Sequence, residues 1–155
     1  MAKTDKVNLR KVLNKILTEG GISFSLTAEQ SDPKTGYMVS LLGFEKRFNI
    51  NEVADADVKN YVYNNINELW GSNRFLGGFK DNDEVVLDVS INIENATQAC
   101  YTGIINNQKY IYDCVNKRSI LLPTPQTSGT SSQQKAYAKM KAAQFAYLLE
   151  TTGVE

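Results

Sequence analysis

The sequence predicts an α+β fold: a single domain, mainly an antiparallel sheet flanked by helices, with a linker-tethered C-terminal helix. Three observations carry that expectation. Residues 84–93 place Val85, Leu87, Val89, Ile91 and Ile93 at every second position, with Asp88, Ser90, Asn92 and Glu94 alternating, the period of a half-buried strand. Two earlier stretches, 7–17 and 58–70, repeat apolar residues at three- and four-residue spacing, as helices do. Several short alternating runs are separated by Gly, Pro, Asn and Asp, which turn a chain back on itself.

The first helix carries Val7, Leu9, Val12, Leu13, Ile16 and Leu17 as its apolar stripe, with Lys6, Arg10, Lys11 and Lys15 mostly off it. Gly20-Gly21 end it, since glycine takes the left-handed cap conformation without strain. Ile22, Phe24, Leu26 and Ala28 alternate as a strand, and 31–36 turn through Pro33 and Gly36 into a second strand, 37–42. Gly43 permits a bend before a third strand bearing Phe44, Phe48 and Ile50. Three short strands in succession suggest an antiparallel meander.

A second helix follows, with Asp55 as its cap and Val58, Tyr61, Val62, Ile66, Leu69 and Trp70 as its stripe. Trp70 reads as a core anchor at its end, before Gly71. Residues 75–80 form a strand holding Gly77-Gly78, which mark a bulge or a close approach. Asp81-Asn82-Asp83 turn it into the long strand as a hairpin. Asn95 and Gln98 make a capping-box pattern for a short helix. The amide run Asn106-Asn107-Gln108 breaks it, the aromatic strand 110–113 follows, and a last strand, 119–122, is stopped by Pro123. The core domain is thus 1–123 and the polar run 124–133 a flexible linker. Residues 134–150 form an amphipathic helix for docking or oligomerisation, lined by Ala138, Ala142, Phe145 and Leu149 and widened by Tyr137, Met140, Ala143 and Leu148.

Composition narrows function by exclusion. Of 155 residues, 42% are hydrophobic and 22% charged, which suits a globular chain. The 17 Lys plus Arg balance the 17 Asp plus Glu, which argues against a dedicated nucleic-acid binder and against recruitment to anionic membranes. No apolar run nears the roughly 20 residues of a membrane span. The N-terminal stretch lacks the apolar core of a secretion signal. Cys100 and Cys114 have no metal or redox spacing, and a cytoplasmic location with reduced thiols is expected. With no histidine in the chain, the commonest general base and metal ligand is missing. No cofactor and no metal are expected.

Asp88 and Asp113 are the best carboxylate pair for acid–base work if their strands are neighbours, although structural hydrogen bonding is the stronger reading for both. Asp55, Asp57, Asp81 and Asp83 lack calcium-loop spacing and suit turns and caps. The amides beside Tyr110 and Tyr112 suit recognition of a ring by hydrogen bonding and stacking, with Arg47, Arg74 or Arg118 as a phosphate partner. Asn also suits the left-handed turn that ends a helix.

Two stretches, 35–50 and 76–120, resemble small accessory proteins of bacteriophages and bacterial mobile elements. The matching residues are Gly77, Gly78, Phe79, Val85, Leu87, Asp88, Val89, Ser90, Asn107, Gln108, Ile111 and Asp113. The resemblance implies a non-enzymatic protein acting in the bacterial host cytoplasm. Such a protein counters host defence by binding a host defence protein or sequestering a small signalling nucleotide. The candidate ligand or partner residues are Tyr37, Arg47, Arg74, Asn107, Gln108, Tyr112 and Asp113. A homo-oligomer is expected, with Tyr137, Met140, Phe145, Leu148 and Leu149 as candidate contacts. Two alternatives stand beside it: a virion or assembly protein that oligomerises through its last helix, and a carboxylate-based enzyme.

Overall fold

A computed structural model describes residues 9–27 and 32–152, the side chains as far as 149. The fold is α+β, as the sequence predicts: helices and antiparallel strands, closed by a long C-terminal helix. Val7, Ala28 and Ser31 lie outside the described residues. The chain divides into two compact units, one built from residues up to 33 with 43–91, the other from 34–42 with 92 onward.

In the first unit, helix α1 (Arg10–Glu19) buries Val12, Leu13 and Ile16 and ends at Gly20, whose φ of 96° is the left-handed cap the sequence predicts. Strand β1 (Gly21–Phe24) pairs with β4 (Phe75–Asp81), and β4 pairs with β5 (Glu84–Ile93) in a hairpin. Asn82 turns that hairpin with a φ of 55°. Strand β3 (Lys46–Asn49) lies on the other side of β5, from Lys46 opposite Leu87 to Asn49 opposite Glu84. The expected meander is therefore corrected. The first and third strands pair with β4 and β5, and the second, β2 (Tyr37–Ser40), pairs with the aromatic strand. Sequence order reads as spatial order only where a tight turn joins two strands, and among the described residues only the Asn82 and Lys117 turns do so.

No bulge interrupts Gly77-Gly78; both stay in register opposite Asp88 and Leu87. The close approach is real. A Cβ on Gly78 would lie 2.4 Å from Ile16 Cδ1, so glycine lets α1 lie flat on the strand.

The second helix is two. Helix α2 spans Asp55–Asn64 and α3 spans Ile66–Leu69. At Asn65 the backbone N–H is shared between the Tyr61 and Val62 carbonyls, and its side-chain Nδ2 donates to Tyr61 O at 2.8 Å. A short amide that competes for a backbone carbonyl breaks a helix in this way. Asp57, rather than Asp55, supports the start: its Oδ2 accepts from Ala54 N at 2.8 Å. Val58, Tyr61, Val62 and Leu69 are buried. Trp70 is not the expected core anchor; Leu69 takes the inward position and Trp70 faces out.

In the second unit, β2 pairs with β6 (Tyr110–Asp113), and β6 with β7 (Arg118–Leu121). Helix α4 (Ala96–Ile105) begins at Asn95, whose Oδ1 accepts from Gln98 N at 2.9 Å, and packs over β2 and β6. Helix α5 (Ser131–Thr152) packs along α4 in the same chain, burying Ala138, Ala142 and Ala146, one small residue per turn. Such a stripe lets two helices approach closely. Helix α5 begins with a reciprocal capping box: Gln133 N donates to Thr130 Oγ1 at 3.1 Å and Thr130 N to Gln133 Oε1 at 2.8 Å.

Candidate functional site

The β6–β7 hairpin is built around Asp113. Its Oδ1 accepts from Val115 N at 3.0 Å and Asn116 N at 3.1 Å, and its Oδ2 accepts from Asn116 Nδ2 at 2.8 Å. This is the local aspartate turn that short acidic side chains favour, with Arg118 Nε 3.9 Å from Oδ2 adding charge balance. Lys117 closes the turn at a φ of 56°. Both carboxylate oxygens of Asp113 are thereby engaged in holding the turn.

Strand alternation then sorts the hairpin's side chains. Ile111 with Ile120, and Asp113 with Arg118, are cross-strand pairs on the inner face. Tyr110 with Leu121, and Tyr112 with Ser119, are pairs on the outer face. Tyr110 is 49% exposed, Tyr112 41% and Leu121 56%. Val115 adds an exposed apolar side chain at the tip. Lys109 lies over the Tyr110 ring, 5.6 Å from its centroid. The outer face is thus aromatic and aliphatic with a cation at its edge.

The amide corner that precedes β6 is largely spent on holding its own turn. Asn107 adopts the left-handed conformation, φ 57°. Asn106 Oδ1 accepts from Leu42 N at 2.9 Å, and its Nδ2 donates to Thr102 O at 2.9 Å. Gln108 Nε2 donates to Asn106 O at 3.0 Å. Of the residues expected to recognise a ligand, β2–β6 pairing sets Tyr37 opposite Asp113, whereas Tyr112, opposite Met38, lies on the other face of the strand. Asn107 and Gln108 lie at the start of the same strand.

Arg47 and Arg74 belong to the first unit. Arg47 is held by three carboxylates: Glu45 at 2.7 Å, Asp81 at 2.9 Å and Glu84 at 3.0 Å. The hydrogen bonds it donates, to Asp81 first, then to Glu45 and Glu84, push its pKa up. An anion would have to displace them. Arg74 Nη1 reaches Glu68 O at 3.5 Å.

Asp88, the other candidate carboxylate, is buried on β5. Its charge and the loss of solvent raise the Tyr61 hydroxyl pKa, with burial the larger cause. The Tyr61 hydroxyl donates to Phe44 O at 2.6 Å. Burial also pushes the Cys100 thiol up to about 12, so it is protonated and unreactive at neutral pH. Among the described residues no group of three or more His, Cys, Asp or Glu side chains is placed to hold a metal ion.

On α5, Met140 and Leu148 are about half-exposed, while Tyr137, Phe145 and Leu149 are half-buried. Lys141 lies over the Tyr137 ring. Leu121 and Val115 were not legible as surface residues, because an apolar residue in a strand reads as core. The signal for Tyr110 was present: residues two apart on a strand share a face, so Tyr110 accompanies Tyr112.

The fold and this face define a mixed helix-and-strand protein with an outward aromatic hairpin. The chain matches no family model, no curated protein and no solved structure. No described helix is long and apolar enough to cross a membrane.

Proposed function

We propose that this chain is a non-enzymatic binding protein that engages a protein partner through the outer face of the β6–β7 hairpin. The observation that carries the reading is the exposed cluster of Tyr110, Tyr112 and Leu121 on one face of a hairpin pinned by Asp113. Tyrosines on a rigid scaffold supply large contact area at little entropic cost, and they are enriched where protein interfaces concentrate their energy. The commitment of Asp113 to its turn, and of Arg47 to three carboxylates, supports a protein partner over a nucleotide. The likeness to phage accessory proteins supplies the context: the partner is a host defence protein, and binding blocks it.

The test is co-purification from bacterial cells with the wild type and with a Tyr110→Ser/Leu121→Ser variant of unchanged melting temperature. A partner held in fixed stoichiometry by the wild type and lost by the variant supports the proposal. Equal retention by both, or no stoichiometric partner, sinks it.

A second reading, oligomerisation through α5, is favoured by the exposure of Met140, Tyr147 and Leu148 on a helix whose alanine stripe is already buried against α4. Solution mass distinguishes the two readings.

A further inference from the structure

We infer that the open edge of β7 pairs antiparallel with β7 of a second copy, about a twofold axis at Ile120. The contact is made main chain to main chain, so it does not rest on recognition by the hairpin's outer face. Hydrogen-bond phase shows what the edge offers. Leu122 N donates to Lys109 O at 2.8 Å, on the β6 side. Bonding alternates along an antiparallel pair. Ile120 and Arg118 therefore also bond toward β6, and Ser119 and Leu121 turn their N–H and C=O groups away from it. Among the described residues β7 pairs with β6 alone, and Ser119 and Leu121 are both exposed. An open edge is a template for another strand, and proteins blunt it with charge, proline or a covering segment. The edges of the other unit are blunted. On β1 the outward Ser23 carbonyl accepts from Asp32 N at 2.7 Å, and Ser23 N donates to Asp32 Oδ1 at 2.8 Å. Strand β3 carries Lys46 and Arg47, and its outward Asn49 carbonyl accepts from Glu52 N and Val53 N, each at 3.0 Å. Among the described residues, no such device covers 119–122.

The pattern of the edge selects a copy of itself as the occupant. The open stretch is bounded on one side by the Lys117 turn, φ 56°, and on the other by Pro123, which has no N–H to offer. Its outward residues, Ser119 and Leu121, stand symmetrically about Ile120. A copy turned about that axis sets Ser119 opposite Leu121 of the second copy and Leu121 opposite its Ser119. Each outward N–H then meets an outward C=O. A small side chain lies beside a large one on the outer face, and Ile120 meets its own equivalent. Arg118 falls opposite Leu122 of the second copy, so no like charges meet across the axis. A shift of the register by one residue would set outward groups against inward ones and leave both unpaired. Helix α4 packs over β2 and β6, one strand back from the axis. The exposed Leu121 gains a neighbour on its open side, and the tyrosine rows of the two hairpins become continuous.

The experiment is sedimentation velocity of the full chain across a concentration series. A reversible rise from the mass of one chain to that of two is expected. Ser119→Pro removes an outward N–H that β6 does not use, at an edge position where proline is tolerated. It should weaken dimerisation at least about tenfold, as for lost backbone hydrogen bonds, while the melting temperature holds. Ser119→Thr keeps the N–H and should dimerise as the wild type does. Amide exchange of the wild type gives a second measurement that needs no variant: protection at Ser119 and Leu121 should rise with concentration. A dimer through α5 would protect neither. The mass of one chain throughout the series overturns the inference, and the edge then belongs to a foreign strand or to none. A dimer formed without protection at Ser119 and Leu121, or one that a folded Ser119→Pro variant leaves intact, overturns it too.

Discussion

Gly77 stands directly opposite Asp88 in the β4–β5 pair, and a Cβ at position 77 would lie 2.1 Å from Asp88 Oδ1. The glycine is there because a buried carboxylate occupies the space a side chain would take. Ser90 Oγ, 3.1 Å from the same point, crowds the site further. The pair explains two sequence features at once: a glycine in mid-strand and an aspartate among valines.

Gly77→Ala should therefore destabilise the chain by about 3 kcal/mol or more, since the obstruction is a buried charged group with little room to move. Combining it with Asp88→Ala should cost less than the sum of the two changes, by about 1–2 kcal/mol, because the residues share one space. Denaturant unfolding of the four-member cycle measures this; strict additivity would show that the carboxylate is not the obstruction.

Replacing Asp113 tests whether the hairpin face depends on its turn. Asp113→Ala removes the acceptor of two backbone N–H groups and one amide and should cost about 2 kcal/mol. Asp113→Asn, which keeps one acceptor oxygen, should cost about half as much. Thermal melting read by circular dichroism orders the three proteins, and equal stability of all three would remove Asp113 from the architecture.

The start of α5 rests on the Thr130–Gln133 capping box. Thr130→Ala should cost about 1 kcal/mol, and amide exchange should rise first in residues 131–135. No effect on either measurement would mean the helix is held by its alanine stripe alone.

Alkaline pH acts on two buried groups. Cys100, ordinarily near 9.0, is pushed up to about 12 by burial, and Tyr61 is raised by burial and then by Asp88 and Glu45. In both cases the folded state holds its proton where the unfolded state has lost it. Their contribution is intact below pH 9.0 and declines as pH climbs toward about 12. Cys100→Ala should flatten that decline relative to the wild type; a stability profile with the same slope in both would contradict the assignment.

Much of this fold was legible in the sequence. The Gly20 stop, the β4–β5 hairpin, the Asn95 cap and the aromatic strand follow from residues a few positions apart. The strand pairings were not, because β1, β2 and β3 find partners far along the chain and no local pattern encodes that choice. Trp70 departs from its expected core position for a related reason: helical period places it one step from the buried Leu69, and the break at Asn65 decides which turns inward. Helix α5 was expected from residue 134, whereas Thr130 and Gln133 start it at Ser131. The candidate face was half legible. Tyr112 was found through the amide run beside it, but Leu121 needed the β6–β7 register to place it next to Tyr110.

The most direct test of the proposed binding role is the amount of partner recovered per mole of chain from bacterial cells, wild type against Tyr110→Ser/Leu121→Ser. One protein should be recovered in fixed ratio with the wild type and at least about tenfold less with the variant, as for loss of interface anchors. Equal recovery with a correctly folded variant would contradict it.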